Sequence, residues 1–290
     1  MTEPHHAAYY ADRARHVSVI LTENVQLARN TYRARFTCPE IARRVVPGQF
    51  VMVRLGGTND PLLGRPLAVY DVLRDDAGEP VGLDFVYAVV GKMTGCLAAM
   101  LPGTPLTVWG PLGNGFPPIE TAHLLMVAGG IGQTPFLVLA QEYLGRRRFG
   151  DPPREVRPAA KVTLCYGARS AEYLACVEDF RQLGIDVRLS TDDGTAGHHG
   201  LVTELIEPAV RQSSLGCRIV CCGPERMMQA TAQVAQRLGV PCEVSLESPM
   251  ACGIGICFSC VAKIRDASGN WDYRRTCVEG PVFDAESVEF

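Results

Sequence analysis

The run HLLMVAGGIGQTPFLVLAQEYL, residues 123–144, marks a change in the pattern of the chain. The segment HLLMVAG reads as a continuous apolar strand, a glycine-rich turn follows it, and a helical pattern begins at Pro135. Three further strand-like runs, KVTLCYG, IDVRLST and RIVCCG, each precede a helical segment before residue 240. Apolar strands that alternate with helices are typical of a parallel sheet covered on both faces. Residues 119–244 are therefore predicted to form a parallel α/β domain.

The chain before this point has the pattern of an all-β domain, which we predict to span residues 1–118. Its short β-rich runs are VSVILTENVQLA, YRARFTC, QFVMVRL, PLAVYDVL, LDFVYAVV and PLTVWGPLG. Turn residues such as Pro47-Gly48 separate these runs, and a helical pattern interrupts them at residues 91–104. Six short strands at this spacing predict an antiparallel β-barrel.

Composition excludes several classes of protein. Of the 290 residues, 47% are hydrophobic and 20% charged, so a packed core is expected. The net charge of −3 argues against nucleic acid as the main partner, because phosphate backbones recruit basic patches. No apolar run reaches the roughly 18–20 residues that span a bilayer. The N-terminal residues 1–16 lack the apolar segment of a secretory signal, so a cytoplasmic location is expected.

Four of the twelve cysteines lie in the last forty residues, which we predict to form a small subdomain at residues 245–290. Their spacing, C-x4-C-x2-C with a distant fourth cysteine, matches that of plant-type [2Fe–2S] proteins. The predicted ligands are Cys252, Cys257, Cys260 and Cys277. Gly253 and Gly255 would let the loop wrap closely around a cluster, since glycine tolerates positive φ. Zinc, which usually takes two CxxC pairs, and unligated thiols are the alternatives.

The other eight cysteines are scattered or lie in apolar runs, and a reducing compartment disfavours disulfides. They are predicted to be small hydrophobic residues of the interior. These are Cys38, Cys96, Cys165, Cys176, Cys217, Cys221, Cys222 and Cys242.

Two segments of the β domain resemble the flavin-binding motifs of the ferredoxin reductase-like superfamily. The first is RPLAVY, in which the arginine pairs with the FAD pyrophosphate in that family, and the second comprises VYA and GKMT. The resemblance implies FAD contacts from Arg65, Pro66, Leu67, Ala68, Val86, Tyr87, Ala88, Met93 and Thr94. Ala68 replaces a common hydroxyl residue, and Met93 replaces a glycine. The run GPLGNGF (110–116) resembles the family junction, although a plain domain-linking turn is the favoured interpretation.

The α/β domain carries the nicotinamide nucleotide motifs of the same superfamily. In GGIGQTP the glycines let the backbone approach a pyrophosphate at a helix N-terminus, and CGPxxM lies near the nicotinamide in the family. The residues implied are Gly129, Gly130, Gly132, Cys222, Gly223 and Pro224. Arg169 could bind a 2′-phosphate or be a solvated loop residue, so NAD and NADP both remain open. His198 and His199 are expected to lie in a surface loop.

The tail resembles one particular family within this superfamily. SLESPMACGIGICFSC (245–260) and RRTCVEGPVF (274–283) are similar to the electron-transfer subunits of two-component dihydroorotate dehydrogenases, which act in pyrimidine biosynthesis. That family implies an FMN-containing catalytic subunit as partner, in a heterotetramer of two of each, with FAD and [2Fe–2S] passing its electrons to NAD(P). No residue is expected to oxidise dihydroorotate here. A ferredoxin-dependent transhydrogenase or sulfide dehydrogenase subunit is the alternative. A redox-sensing regulator is disfavoured because no output segment remains.

Overall fold

In the computed structural model, residues 10–213 and 215–290 are described. A short 3-10 helix (Tyr10–Arg13) leads into a seven-stranded antiparallel sheet with the order β4-β3-β7-β1-β2-β6-β5. Its strands are β1 (Arg15–Ala28), β2 (Thr31–Thr37), β3 (Phe50–Leu55), β4 (Arg65–Ala68), β5 (Asp71–Arg74), β6 (Pro80–Ala88) and β7 (Pro105–Leu112). Two short helices, α1 (Pro39–Ala42) and α2 (Lys92–Ala98), complete this domain.

The sheet curls until its two edge strands come together. β4 and β5 are the edges, yet only Val69 and Tyr70 separate them along the chain. The Val69 amide donates to the Gln49 carbonyl at 3.1 Å, and the Tyr70 amide donates to the Asp84 carbonyl at 2.9 Å. The antiparallel barrel is thus confirmed. The prediction of one strand over PLAVYDVL was wrong, because the backbone changes hydrogen-bonding partners in the middle of the apolar run.

The second domain is built on a sheet with the order β11-β10-β9-β8-β12-β13-β16, parallel except for β16 (Val282–Asp284), which the tail contributes. Its strands are β8 (His123–Gly129), β9 (Lys161–Ala168), β10 (Asp186–Thr191), β11 (His198–His199), β12 (Cys217–Cys222) and β13 (Cys242–Ser245). The helices are α3 (Phe136–Tyr143), α4 (Val177–Gln182), α5 (Ile206–Arg211) and α6 (Glu225–Leu238), with 3-10 turns at Gly130–Gln133, Ala171–Tyr173 and Val202–Leu205. The predicted parallel α/β domain is confirmed.

Separate hydrophobic clusters cover the two faces of this sheet. Side chains of β8 alternate between them, as Leu124 and Met126 join one cluster and Leu125 and Val127 join the other. All seven residues of β8 are buried. A central parallel strand flanked by helices on both faces has no polar side, which explains the unbroken apolar run in the sequence.

The tail contributes a hairpin, β14 (Val261–Arg265) with β15 (Trp271–Arg275), and the strand β16 (Val282–Asp284). β16 pairs antiparallel with β13 at the edge of the nucleotide-domain sheet. Asn114, in the linker between the domains, accepts from the Val282 amide at 3.1 Å and donates to its carbonyl at 2.8 Å. GPLGNGF is therefore a domain-linking turn that also fixes the end of the chain. The boundary proposed at residue 244 stays a prediction.

No helix in the described ranges is long and apolar enough to cross a membrane.

Candidate functional site: a cavity and an adjoining cysteine loop

A cavity of about 760 Å³ lies where the barrel, the α/β domain and the tail meet. Every residue predicted to contact a flavin lines it: Arg65, Pro66, Leu67, Ala68, Val86, Tyr87, Ala88, Met93 and Thr94. The ends of β4 and β6 and the start of α2 place these residues on one wall. Ile131, Thr134, Pro135 and Cys222 line the cavity from the α/β domain. Of the residues predicted to contact the nicotinamide nucleotide, Cys222 lines this cavity, whereas the predicted glycines and Pro224 are not among its lining residues.

Arg65 carries the free positive charge of this wall. Its Nη1 atom donates to the carbonyls of Leu63 and Gly64 at 3.2 and 3.0 Å, and no carboxylate of the described residues pairs with it. Most arginines of the chain are instead held by Asp or Glu side chains, as Arg35 is by Asp84 at 2.7 Å. A guanidinium with unused donors at a cavity wall suits a phosphate ligand.

The first turn of α2 presents backbone amides at the same wall, since the first amides of a helix have no acceptor inside it. The Thr94 hydroxyl accepts from the amides of Val90 and Gly91 at 3.1 and 3.2 Å, which fixes the turn before the helix. A side chain at Gly91 would meet nothing within 4 Å, so a ligand can approach the backbone closely there. Behind this turn, the buried Tyr87 hydroxyl donates to Asn24 at 2.9 Å.

The glycine-rich turn after β8 is a tight packing junction. A Cβ atom at Gly132 would lie 2.3 Å from the Cys222 carbonyl oxygen, and one at Gly129 would lie 2.5 Å from the Met227 sulfur. A Cβ atom at Gly223 would lie 2.9 Å from the Gly129 amide nitrogen. These glycines, together with Pro224, therefore join the two turns to each other. Gly130, at φ +54°, faces open space and is the residue most accessible to a ligand. Nucleotide contact by this set stays a prediction.

Exposed loops at the carboxyl ends of β9 and β10 carry charged side chains. Arg169 follows β9 and Asp192 and Asp193 follow β10, and all three are exposed. The Asp193 carboxylate accepts from the amide and hydroxyl of Thr195 at 3.0 and 2.6 Å, and these bonds lower its pKa. His198 and His199 form the exposed two-residue strand β11, as expected for a surface segment.

The tail supplies a third wall, which the sequence motifs did not indicate. Residues 245–251 and Ser259 line the cavity opposite the barrel. This segment leaves β13 and crosses the cavity before it enters the cysteine loop, so its position depends on the pairing of β13 with β12 and β16. In the sequence, residues 245–247 carry only a family resemblance, and no local pattern predicts that they line the cavity.

Two side chains that can lose a proton, Glu247 and Cys222, line this part of the cavity. Glu247 is exposed at the cavity, and partial desolvation by the surrounding protein atoms raises the pKa of its carboxyl. Burial raises the pKa of the Cys222 thiol well above its usual range, and the nearby Glu247 charge adds to this effect. Cys222 therefore stays a neutral thiol.

The cysteine loop packs against the outside of the barrel. The Trp109 indole on β7 donates to the Cys252 carbonyl at 2.9 Å. Cys260 and Cys277 share a small apolar cluster with Phe50, Met52 and other barrel residues. Because the tail has little apolar content of its own, it uses the barrel surface as its core.

Gly253 and Gly255 both have positive φ, +73° and +82°. A Cβ atom at Gly253 would lie 2.6 Å from Met52 Cγ, and one at Gly255 would lie 2.6 Å from Val278 Cγ2. Phe258 has φ +55°, which is uncommon for a bulky residue. The loop is therefore wound more tightly than ordinary side chains allow.

The four predicted ligands stand as two pairs. Cys260 and Cys277 are buried with their sulfurs 3.1 Å apart, and this contact lowers the pKa of Cys260 to about 6 while raising that of Cys277. Hydrogen bonds from Ser259 and then Cys252 lower the pKa of the exposed Cys257 to about 6. Among the described residues, no three Cys, His, Asp or Glu side chains already stand in metal-binding positions.

Two pairs of thiols nevertheless fit an iron–sulfur cluster. A [2Fe–2S] cluster takes four thiolates, two for each iron, and lowered pKa values favour the thiolate form that binds metal. The loop has no histidine, which zinc sites often include. The donor set thus suits an iron–sulfur cluster.

Exposed apolar side chains flank Cys257 in the loop and continue on the hairpin that follows it. Ile256 is 74% exposed and Phe258 62%, on either side of Cys257. Ile254 and the hairpin residues Trp271 and Tyr273 are also exposed. We call these five residues the apolar rim. Such a grouping of exposed apolar residues marks an interaction surface.

Comparisons with known proteins agree with this site. Residues 247–289 match the model of the iron–sulfur cluster binding domain of dihydroorotate dehydrogenase B, and residues 126–233 match that of the oxidoreductase NAD-binding domain. Among solved structures, one of an NADH-dependent reduced ferredoxin-NADP oxidoreductase superposes with a TM-score of 0.75 at 29% identity, covering 93% of this chain and 89% of that one. A ferredoxin NADP⁺ reductase from Neisseria gonorrhoeae shares the fold, with a TM-score of 0.61 at 17% identity over 77% and 92% of the two chains.

Two curated relatives cover almost the whole chain. The dihydroorotate dehydrogenase B (NAD(+)) electron transfer subunit of Desulforamulus reducens is 39% identical over 90% of this chain and 94% of the relative. The protein of the same name from Caldanaerobacter subterraneus subsp. tengcongensis is 34% identical over 92% and 96%. The chain therefore belongs to the family of dihydroorotate dehydrogenase B electron transfer subunits.

Proposed function

We propose that this chain carries electrons between a dihydroorotate-oxidising catalytic subunit and NAD⁺, through a [2Fe–2S] cluster and FAD, in pyrimidine biosynthesis. The strongest support is that residues next to the cysteine loop also line the cavity. Met250 and Ala251 line the cavity and run directly into Cys252, while Ser259 lines it beside Cys260. The Ala251 amide donates to the Ser259 hydroxyl at 3.2 Å, which closes the base of the loop. A group in the cavity and a cluster in the loop are thus neighbours.

FAD occupies the cavity in this proposal. Arg65 and the first-turn amides of α2 bind its pyrophosphate, and the β4 and β6 residues line its ring. Flavin chemistry is needed because NAD⁺ takes two electrons at once as a hydride, whereas an iron–sulfur cluster passes single electrons. Cys222, kept neutral by burial, shapes the place where the nicotinamide meets the ring.

NAD⁺ rather than NADP⁺ is the nucleotide we propose. Asp192 and Asp193 follow β10 at the carboxyl edge of the sheet, and exposed carboxylates at that edge would repel a ribose 2′-phosphate. Arg169 lies on the neighbouring loop after β9. The names of the curated relatives, which specify NAD(+), agree with this choice.

The partner docks on the apolar rim in this proposal. Cys257 is the exposed cysteine of the four, so the rim is the face from which a separate FMN-containing subunit reaches the cluster. In this proposal the complex contains two copies of each subunit, which is the stoichiometry that the family resemblance implies.

The test is binding and activity with a purified dihydroorotate dehydrogenase B catalytic subunit that carries FMN. Joint substitution of Ile256→Ser and Phe258→Ser removes apolar surface from the rim, and we expect binding at least tenfold weaker. The same variant should keep its iron and its reaction with NADH. Leu201→Ser, on an exposed residue of the α/β domain, is the matched control and should bind normally. Failure of the unmodified pair to associate, or to reduce NAD⁺ with dihydroorotate, would contradict the proposal.

A second candidate function is that of a flavin and iron–sulfur subunit of a transhydrogenase or sulfide dehydrogenase. The observation in its favour is the 29% identical structure of the NADH-dependent reduced ferredoxin-NADP oxidoreductase. The curated relatives are more similar in sequence, at 39% and 34% identity, which favours the first candidate. Activity with reduced ferredoxin and NADP⁺, but none with dihydroorotate, would support the second.

A further inference from the structure

A hydrogen bond from a buried tyrosine joins the cavity wall to the α/β domain. Tyr70 follows β4, whose residues line the cavity, and it is only 1% exposed. Its hydroxyl donates to the carboxylate of Asp179, on α4, at 2.6 Å. Because the acceptor is charged and the tyrosine is removed from water, this bond is stronger than an ordinary surface contact. It therefore ties the two domains together at a defined point.

Tyr70 is also held firmly within the barrel. Its amide donates to the Asp84 carbonyl at 2.9 Å, and the preceding Val69 amide donates to the Gln49 carbonyl at 3.1 Å. Val69 alone separates Tyr70 from Ala68, which ends β4 and lines the cavity. A shift of the Tyr70 ring would therefore move the wall on which the flavin is proposed to lie.

The two domains share one apolar core around this tyrosine. Tyr70 and Val86 of the barrel belong to the same buried cluster as Met126 and Ala128 of β8 and Phe180 of α4. Apolar packing holds surfaces together but has no preferred direction. A hydrogen bond does have one. The Tyr70 hydroxyl thus fixes where α4 lies relative to the barrel.

The same contact reaches the glycine-rich turn after β8. Cys176 precedes α4 with φ +62°, a conformation that is uncommon for residues other than glycine. Burial raises the pKa of its thiol to about 11, and Tyr70 and Gln133 lie near enough to oppose that shift. Gln133 belongs to the turn and is fully buried, and neither of its amide atoms has a hydrogen-bond partner among the described residues. Tyr70, Cys176 and Gln133 are therefore neighbours at the domain boundary.

Charged contacts that cross the boundary elsewhere are more exposed. Arg29 lies 2.6 Å from Glu172, with side chains 56% and 51% exposed. Arg147 lies 3.0 Å from Asp71, with side chains 34% and 20% exposed. Water and salt screen such pairs, so they contribute little to a fixed geometry. The Tyr70 hydroxyl is better placed than either to hold the domains at one distance.

The distance between the domains matters for hydride transfer. The reacting atoms must approach to about 3–3.5 Å, and a misplacement of about 1 Å can lower the rate roughly 100-fold. In the proposed function, the flavin lies on the barrel wall that includes Ala68. The nucleotide is held by the α/β domain, whose Thr134 lines the same cavity. The domain boundary therefore sets how closely the two rings meet.

We propose that Tyr70 is a positioning residue for hydride transfer, because its hydroxyl, held by Asp179, fixes the flavin wall of the barrel relative to the glycine-rich turn of the α/β domain. The inference rests on the proposed function and deepens it. The hydride passes directly between the two rings, and Tyr70 gains or loses no proton. Burial above all raises the pKa of Tyr70 far above its usual range, so its hydroxyl remains a donor.

Anaerobic stopped-flow absorbance of the cofactor-loaded chain with NADH tests this role. Tyr70→Phe removes the hydroxyl and keeps the ring, so the flavin reduction rate at saturating NADH should fall roughly tenfold or more. The NADH concentration that gives half the maximal rate should stay within about threefold, because ground-state binding is retained. The long-wavelength charge-transfer absorbance of reduced flavin with NAD⁺ should weaken, since it reports ring stacking independently of turnover.

Variants of Asp179 separate this hydrogen bond from general packing. Asp179→Asn keeps an oxygen that can accept from Tyr70 and should retain most of the rate, whereas Asp179→Ala should resemble Tyr70→Phe. Tyr143→Phe is the matched control. That buried tyrosine donates to the Ile119 carbonyl at 2.7 Å, away from the cavity, and its loss should leave the rate and the charge-transfer absorbance unchanged. Equal flavin and iron contents show that the variants fold.

An unchanged rate and charge-transfer absorbance in both Tyr70→Phe and Asp179→Ala would overturn the inference and leave the proposed function intact. Equal losses in Asp179→Asn and Asp179→Ala would also overturn it, because an accepting oxygen would then make no difference. If NADH fails to reduce the flavin of the unmodified chain, the proposed function itself fails. The two failures are thus distinguishable in the same instrument.

Discussion

The buried cysteines of the α/β sheet and two cysteines of the tail, Cys257 and Cys260, have thiol pKa values shifted in opposite directions. Burial raises the pKa of Cys165 and Cys221 to about 12, whereas sulfur and hydroxyl contacts lower that of Cys257 and Cys260 to about 6. Thiolates bind metal and thiols fill cores. Cysteine thus serves as a core residue in the sheet and as a candidate metal ligand in the tail. Apolar burial or nearby hydrogen-bond donors decide between the two roles.

Glycines differ between the two regions in the same way. In the α/β turn, Gly132 is required because another backbone lies where a side chain would be. In the tail loop, Gly253 is required both by its φ of +73° and by contact with the barrel. The α/β turn is thus shaped by packing alone, while the tail loop is shaped by both its backbone conformation and its contact with the barrel.

The largest expected effect comes from breaking the thiolate pair of the tail. Cys260→Ser removes a predicted ligand of the cluster. Loss of a residue that only supports a ligand lowers metal affinity by roughly 10- to 100-fold, so loss of the ligand itself should leave the chain essentially without cluster iron. Flavin should remain bound, because the barrel wall is untouched. Iron and flavin assays on the purified chain measure this. Cys165→Ala, in the sheet, is the matched control and should keep its iron with only modest destabilisation; equal iron loss in both would contradict the contrast.

A second substitution tests the packing of the α/β turn. Gly132→Ala places a methyl group 2.3 Å from the Cys222 carbonyl oxygen, so the two turns must move apart. We expect a loss of about 2–4 kcal/mol in the free energy of unfolding, the range of severe overpacking. Denaturant titration measures it. Gly216→Ala, where a side chain meets nothing within 4 Å, should cost little, and a similar loss there would refute the packing argument.

Acid should weaken the α/β sheet through His123. This histidine is fully buried, with Nε2 3.0 Å from the Thr163 hydroxyl, and burial lowers its pKa to about 4 from 6.5. The unfolded chain thus binds the proton more readily. The stabilising contribution is complete above pH 6.5 and is lost as the pH falls towards 4, by about 3 kcal/mol.

Unfolding free energies from pH 7 to pH 4 check this dependence. His123→Gln should flatten the curve by about that amount, since it removes the titrating group. His199→Gln, at an exposed histidine, should leave the curve as it is. Parallel curves for His123→Gln and the unmodified chain would show that another group is responsible.

The smallest effect separates backbone strain from packing in the tail. Gly253→Ala and Gly269→Ala both force positive φ on alanine, at a cost of about 1–2 kcal/mol each. At Gly269 a side chain meets open space, whereas at Gly253 it also meets Met52. Gly253→Ala should therefore lower iron content and Gly269→Ala should not. Equal iron contents would mean that contact with the barrel does not shape the loop.

The sequence predicted most elements of the fold because apolar periodicity is local information. It failed at Val69 and Tyr70, where the run stays apolar while the strand changes partners. It also did not indicate β16, since three residues near the chain end acquire their strand only by pairing with β13.

The site was predicted unevenly for a similar reason. Motif residues such as Arg65 and Ala68 line the cavity, because each motif is contiguous in sequence. Glu247 and the rest of the tail wall were missed, because their position depends on the pairing of β13 with β12 and β16, and Asn114 holds β16 through Val282, more than 160 residues away. Contacts of that range leave no periodic trace in a single sequence.

The most direct test of the central claim is an anaerobic titration of the purified chain with NADH, followed by visible absorbance and by flavin and iron assays. The account predicts one flavin and two irons per chain, with both chromophores bleaching as NADH is added. Flavin that bleaches in a chain without iron, or with zinc at the four tail cysteines, would contradict it.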